Sequence, residues 1–405
     1  MQKYCSNLKG ITRKFMKKEK LYRQYCTGCG LCSCEKNTTF EKSKNGFLFP
    51  KENDELNDFC PKVCPCYNDL SRWSNTNNIW GSYKEVYCAF STDENIRKSA
   101  SSGGCLTAIS IWLLKNKKID GVIQTKVDEC DPMKTVTVVS VNKEDVLKCV
   151  GSRYAESSLL LNINRIIESG KRYAFIGKPC DVSTLSRYMI LNPKLKDFIL
   201  YKFSFFCAGT PSCQANKDLI EYMKLDSSLM KLRYRGDGWP GYTKATDANG
   251  AEYTMTYQDA WMNILGRDIR LMCKFCFDSI GEYADISCGD YWYLDANKNP
   301  DFSEHDGRNC LFSWTNLGSE LIKELISDKA LHVEKIDINE LKWSQPNHYN
   351  RRSTMFTKLI VMKLFHRNIP KYDLKVLFKF TFYSSLKSHL RTAKGTWSRI
   401  KGGSL

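Results

Sequence analysis

Arg172-Tyr-Ala-Phe-Ile-Gly-Lys-Pro-Cys180 is the stretch that decides the fold. Aromatic and branched residues make Arg172–Ile176 a strand, and Gly177-Lys178-Pro179 punctuates it before Cys180. Leu200-Tyr-Lys-Phe-Ser-Phe-Phe206 repeats the pattern and ends at Cys207. Upstream, Glu85–Phe90 reads as a strand, and Ser101-Ser-Gly-Gly104 opens an apolar-periodic helix over Leu106–Leu114. Ile119–Thr125 is the next strand, and Leu159–Glu168 a further helix. Strands alternating with helices at these lengths predict an α/β core. In such a core the carboxyl ends of neighbouring strands converge on one crevice, where ligands bind. Cys180 and Cys207 both fall at such ends.

Cys273-Lys-Phe-Cys276 adds a paired spacing, and with Cys180 and Cys207 makes four thiolates, enough for one cubane cluster. A lone pair of this kind would be ambiguous among zinc, redox chemistry and chance. A second set lies near the amino terminus, in Cys26-Thr-Gly-Cys29-Gly-Leu-Cys32. Three soft ligands on one tight loop make a cluster corner, but the adjacent Cys-Pro of bacterial ferredoxins is missing. Lys36-Asn37 stands there, and Cys60 and Cys64, each before a proline, are the candidates to close the site. Cys5, Cys88, Cys105, Cys130, Cys149, Cys213, Cys288 and Cys310 lack paired spacing and read as small buried residues. Two glycine-containing loops, Ser101–Gly104 and Gly151-Ser152-Arg153-Tyr154, can bring backbone N–H groups and one cation to a phosphate or a flavin edge. Each alone is equally well a structural turn.

Nineteen cysteines in 405 residues form an odd count. With no leader-like start and no apolar run of membrane-spanning length, they predict a reducing, cytoplasmic setting in which cysteines are ligands or core residues. The net charge of +17 is unevenly placed. From Arg351 onward there are 13 Lys or Arg and one acid, against 48 basic and 43 acidic residues in the 350 before. The body is thus nearly balanced, and the charge gives no reason to expect nucleic acid, since no recognised binding module accompanies it. The basic end interleaves cations with Leu, Phe, Ile and Trp. It suits contact with an anionic membrane surface or an acidic partner, or equally a solvated helical appendage. The expected layout is a ferredoxin-like module over 1–75, a core over 76–345 and a basic, largely helical extension over 346–405.

The ordered set of Cys26–Cys32, Gly46-Phe-Leu-Phe-Pro50, Ser101–Gly104, Ile119-Asp-Gly-Val122, Gly151–Tyr154, Gly177–Cys180, Phe206–Ser212, Trp239-Pro-Gly241, Cys273–Cys276 and Ala284–Trp292 resembles the beta-subunit family of coenzyme F-420 hydrogenases and dehydrogenases. The resemblance runs through residues 20 to 310, and the order is more specific than any one motif. It implies an iron–sulfur flavoprotein oxidoreductase with two 4Fe-4S clusters and FAD. On this resemblance Ser101, Ser102, Gly103, Gly104 and Thr107 wrap the flavin, with Gly151, Ser152, Arg153 and Tyr154 as a second contact. Lys178 stands where relatives carry a small residue such as Thr, which alters flavin or substrate contact there. Cys180, Cys207, Cys273 and Cys276 match the inner cluster. Cys26, Cys29 and Cys32 match the outer one, with Cys60 preferred over Cys64 as its fourth ligand.

The resemblance implies that ferredoxin or another redox protein supplies electrons to a flavin-dependent reduction. The substrate is an unidentified small molecule or carbohydrate-linked compound, because bacterial relatives accompany surface-polysaccharide biosynthesis. No catalytic residue is assigned: Asp181, Asp285 and Asp290 lie near the motifs but read equally as caps or ion-pair partners. The histidines fall outside the motifs. Three rival readings stand beside this one: an electron-relay subunit of a larger hydrogenase or dehydrogenase, a zinc-stabilised binding protein, and a protein docked at the inner face of the membrane through its basic end.

Overall fold

The computed structural model of the protein describes residues 23–34, 39–51, 60–67 and 76–405. Cys5 and much of the 1–75 segment lie outside the described residues. Short strands β1 (Phe40–Lys42) and β2 (Leu48–Pro50) form an antiparallel hairpin. The main chain-order run is then β3 (Glu85–Ser91), β4 (Gly121–Val127), β5 (Thr135–Ser140), β6 (Tyr173–Gly177) and β7 (Ile199–Phe205). It continues with β8 (Leu229–Arg233), β9 (Tyr242–Asp247), β10 (Glu252–Thr256), β11 (Ile286–Asp290), β12 (Asn309–Ser313) and β13 (Leu331–Lys335). Eight of these strands make one mixed sheet in the order β13-β3-β12-β11-β7-β6-β4-β5. Its centre is parallel: β4 with β6, β6 with β7, and β7 with β11. β8, β9 and β10 form a separate antiparallel sheet.

β6 shows why this sequence makes a doubly covered sheet. Tyr173 and Phe175 enter one core, while Ala174 and Ile176 enter the other. A strand's side chains alternate between faces, so a strand apolar at successive positions is buried on both. On one face the helices Cys105–Lys115 and Asn316–Ser327 contribute Ile109, Trp112, Leu113, Leu321, Ile322 and Leu325. The opposite core is continuous from end to end of the chain. It joins Tyr25, Leu31 and Val63 to Phe175 and Phe312, and onward to Met355, Leu359 and Phe380.

The basic end is helical as expected, but it begins inside the body rather than beside it. The helix Pro346–Leu364 buries Arg352, Met355, Leu359 and Met362. Arg352 is fully buried and ion-paired with Glu282, itself 1% exposed. From the end of this helix onward apolar residues turn outward, with Leu364 70%, Phe382 77%, Leu386 74% and Leu390 62% exposed. Among the described residues no helix is long and apolar enough to cross a membrane.

Truncating one partner of a buried pair leaves an uncompensated charge, so Arg352→Ala should cost about 3–5 kcal/mol of stability by urea unfolding. The apolar double replacement Arg352→Met with Glu282→Leu should recover most of that loss. A double variant no more stable than the single one would show that this pair does not couple the helix to the core.

Candidate functional site

The parallel centre of the sheet puts β6 and β7 side by side, and their carboxyl ends deliver Cys180 and Cys207 to the same crevice. The short helical turn Leu271–Phe275 brings Cys273 and Cys276 to meet them. All four line one small void of about 30 Å³, together with Thr27 and Pro65 of the amino-terminal segment and Arg351 of the Pro346–Leu364 helix. The Thr210 N–H donates to Cys273 Sγ at 3.4 Å. Burial, and then repulsion from Cys273, pushes the Cys207 thiol up to about 12. Burial, with Asp181 next, holds Cys180 well above the ordinary thiol range, and burial does the same for Cys276.

Thiols held up by burial, as at Cys180, Cys207 and Cys276, ionise together only with a cation among them, which suits a metal centre. Among the described residues no three of His, Cys, Asp or Glu close on a single-ion site. Four cysteines lining one void supply the number of thiolates that a cubane takes.

The amino-terminal triplet packs directly behind this void. Its loop requires glycine at 28: φ is +72°, and a Cβ there would sit 2.5 Å from Arg270 Nη2. The Gly28 N–H points at Cys26 Sγ at 3.3 Å. Burial raises Cys26 to about 12 and Cys29 to about 11, and the charge of Cys64 adds to both shifts. Cys64 follows the single helical turn Cys60–Val63, and its sulfur lies 3.3 Å from that of Cys66. Cys32, Cys60 and Cys66 are buried, and Cys34 is half-buried.

On the other side of Cys207 lies a cavity of about 340 Å³, within the range of small-molecule and cofactor sites. Cys207, Gly209 and Thr210 belong to the walls of both spaces. The two glycine loops meet here: Ser101 Oγ accepts the Ser152 N–H at 2.6 Å. Ser101, Ser102, Gly104, Thr107, Gly151, Ser152, Arg153, Tyr154 and Lys178 all line the cavity. Gly104 caps the helix Cys105–Lys115 with φ +74°, the Cys105 N–H donates to Asn309 Oδ1 at 3.4 Å, and all three residues line the cavity at the amino end of that helix. Such an end suits a phosphate group.

Two of the expected contacts take other roles. Gly103 sits behind the wall, where a Cβ would meet the Ala89 carbonyl at 2.7 Å. Arg153 gives its Nη atoms to the carbonyls of Leu232 (2.9 Å) and Pro132 (2.6 Å), so its cation braces the loop. The three acids are structural partners. Asp181 accepts the Lys178 backbone N–H at 3.2 Å and pairs with its ammonium at 2.8 Å, Asp285 accepts the Lys202 N–H at 2.8 Å, and Asp290 holds Arg235 through two bonds of 3.0 Å.

Sequence reasoning missed the far wall of the cavity. Arg235, Tyr257, Trp261, Trp292 and His348 stand there. The Arg235 guanidinium lies over Tyr257 (4.5 Å) and Trp292 (5.3 Å), and Trp292 stacks on Trp239 at 4.5 Å. An aromatic wall with one fixed cation suits a planar or anionic ligand. The Trp239-Pro-Gly and Gly-Asp-Tyr-Trp292 motifs carried part of this signal, whereas nothing local marks His348. The remaining cysteines divide. Cys88, Cys105, Cys288 and Cys310 are buried as expected, but Cys149 and Cys213 are half-buried and Cys130 is exposed. Cys130 falls in the turn joining β4 to β5, where its N–H is tied to Asp128 and its side chain faces solvent.

His348 bonds Ser279 through Nδ1 at 2.9 Å. Burial, then Arg351 and Arg352 beside it, lowers its pKa from 6.5 to about 3. It is therefore neutral at pH 7 and is no proton donor there. Between pH 6.5 and 3 the unfolded chain binds a proton that the folded chain refuses, so stability falls as pH drops through that window. At about pH 4.5 the loss is on the order of 2 kcal/mol. His348→Asn should flatten this acid limb in urea unfolding series; a limb of unchanged slope would refute the assignment.

Two family models match the chain: the coenzyme F-420 hydrogenase/dehydrogenase beta subunit amino-terminal model over residues 86–164, and its carboxy-terminal counterpart over residues 170–339. The coenzyme F-420 hydrogenase subunit beta of Methanococcus voltae is 26% identical over 269 residues, covering 64% of this chain and 86% of the relative. The coenzyme F-420-dependent sulfite reductase of Methanocaldococcus jannaschii is 32% identical over 342 residues, covering 78% of this chain and 48% of the reductase. Among solved structures, a chain of the F-420-reducing NiFe hydrogenase complex of Methanosarcina barkeri shares the fold, with a TM-score of 0.54 and 22% identity over 71% of this chain and 96% of that one. With both halves of the family signature matched in order across the α/β core, this chain belongs to the coenzyme F-420 hydrogenase/dehydrogenase beta-subunit family.

Proposed function

We propose that the chain is an iron–sulfur flavoprotein oxidoreductase that passes single electrons from ferredoxin or another redox protein, through two 4Fe-4S clusters, to FAD and then to a substrate. One observation carries this reading: the void lined by Cys180, Cys207, Cys273 and Cys276 shares Cys207, Gly209 and Thr210 with the large cavity. When bound, clusters handle one electron at a time and a flavin converts these into two-electron chemistry. The protein's own residues bind and orient. Ser101, Ser102, Gly104, Thr107 and Gly151–Tyr154 form the flavin side of the cavity, with the helix amino end at Gly104 taking phosphate. Arg235, Tyr257 and Trp292 form the side open to substrate. Lys178 holds a positive charge at the wall between the flavin side and the inner thiols. Cys26, Cys29 and Cys32 hold the outer cluster, with Cys60 or Cys64, both buried, to close it.

A second reading makes the chain an electron-relay subunit, because matched relatives are named as hydrogenase and formate dehydrogenase subunits. Turnover by the isolated chain with an artificial electron donor separates the two. Its exposed carboxy-terminal helix Leu386–Lys401, with Leu386, Leu390 and Trp397 outward among Lys387, Arg391 and Lys394, suits contact with an anionic membrane surface.

Anaerobic isolation should give about eight irons, matching acid-labile sulfide, and one flavin per chain. Cys273→Ser should lower iron to about four, and whichever of Cys60→Ser and Cys64→Ser does the same identifies the fourth outer ligand. A colourless, zinc-containing protein without sulfide overturns the redox reading. Replacing Leu386 and Leu390 with Ser should weaken co-sedimentation with anionic phosphatidylglycerol vesicles several-fold relative to neutral vesicles. Equal binding by the variant removes the membrane contact.

A further inference from the structure

The helix Pro346–Leu364 begins at the wall of the large cavity without a cap. Ser344, Gln345, Pro346, Asn347 and His348 all line that cavity. The N-cap is Gln345, whose side chain makes no capping bond; its Nε2 donates instead to the Asp290 carbonyl. Pro346 has no N–H to offer, and among the described residues nothing accepts from the N–H groups of Asn347 and His348. The first turn holds no acid. Two N–H groups at the positive end of a 19-residue helix are thus left for a partner outside the chain.

A second observation points the same way. Ser344 is 1% exposed, and its Oγ has no hydrogen-bond partner. A buried hydroxyl without a partner costs stability that an alanine of similar volume would not, so packing does not explain a serine on this wall. Charge favours an anion here as well. Of the charged residues lining the cavity, Arg153, Lys178 and Arg235 are cations and Asp290 is the one acid. Both Asp290 oxygens are taken, by Arg235 at 3.0 Å and by Trp239 Nε1 at 2.9 Å. Asp290 also joins the two positive features, because its carbonyl holds Gln345 while its carboxylate holds Arg235.

We propose that the corner formed by Ser344, Asn347 and His348, with Arg235 beside it, binds an oxyanion of the substrate, so that the substrate carries a carboxylate or a phosphate group. This rests on the reading of the cavity as a flavin and substrate site. The Ser344 hydroxyl and the two N–H groups donate to the oxyanion, and the helix end and Arg235 supply positive potential. The corner is a separate element from the Gly104 helix end given to the flavin. It lies beyond residue 339, where the match to the family model ends, so the anionic group is read by a segment outside the shared core.

The test is isothermal titration calorimetry of the anaerobically isolated full-length chain, flavin bound, with inorganic phosphate and, separately, with acetate at constant ionic strength. One saturable site per chain is expected, and the anion that binds tighter names the substrate's group. Ser344→Ala should weaken that binding about tenfold, the scale of one hydrogen bond to a charged acceptor. Asn347→Asp, at an exposed position where an acid stabilises the helix end, should weaken it several-fold by repulsion. Flavin and iron are measured on each variant. Loss of flavin from Ser344→Ala would show that the corner holds the cofactor, and overturns the proposal. A flavin-containing wild type with no saturable anion site, or variants that bind both anions as the wild type does, overturn the proposal alone. A wild type without flavin overturns the cavity reading, and with it the assignment of the anion to a substrate.

Discussion

Arg270 ties together the parts on which the site depends. It is 1% exposed, and its three nitrogens together serve three different segments. Nε and Nη2 grip Glu156, Nη2 also takes the Leu48 carbonyl at 2.7 Å, and Nη1 takes the Cys26 carbonyl at 3.1 Å. Phe47 and Phe49 lie against its guanidinium, at 5.0 and 4.9 Å. The planar, five-donor guanidinium can do this; a lysine could not satisfy three segments in one plane. Three residues on, the chain supplies Cys273. One buried cation therefore fixes the outer cysteine loop, the β1–β2 hairpin and the inner cysteine turn relative to one another.

That cation is balanced within a small network. Arg270 is paired with Glu156 and Lys178 with Asp181, and Glu156 lies close enough to act on Lys178 and Asp181 as well. Two positive and two negative groups thus sit together with no net charge. The arrangement of the four, rather than their sum, decides what field each thiol experiences. Hydrophobic packing could hold these elements at similar distances, but it would leave the thiols without any directional field. The conformational cost of ordering the outer loop is met by contacts that also set its electrostatics.

The sheet was legible because its evidence is local. Strands predicted at Arg172–Ile176 and Leu200–Phe206 are found at Tyr173–Gly177 and Ile199–Phe205, one residue from expectation. The rule that parallel strand ends converge was enough to join Cys180 to Cys207. Less was legible where a residue's role is set by distant partners. Arg153 looked like a phosphate contact in its tetrapeptide, yet the carbonyls of Pro132 and Leu232 claim it. The carboxy-terminal segment looked like an appendage because its average composition is basic. Composition averages over faces, and it hid a helix whose inner side carries Arg351 to the inner thiols and His348 to the cavity wall.

The same distinction explains the inner quartet. Two of its cysteines come from strand ends and two from a turn, so their meeting is a property of the sheet rather than of any motif. Once they meet, burial raises the thiols Cys180, Cys207 and Cys276 and mutual repulsion raises them further. In the folded chain burial therefore holds these three as protonated thiols, whereas ligation requires thiolates. A metal held there would displace protons into solvent, and its affinity would rise with pH. The Arg351 guanidinium, bonded to the carbonyls of Cys207 and Ala208, lowers the charge penalty at Cys207 and Cys276. A residue of the supposed appendage thus eases ionisation at two thiols in the centre of the protein.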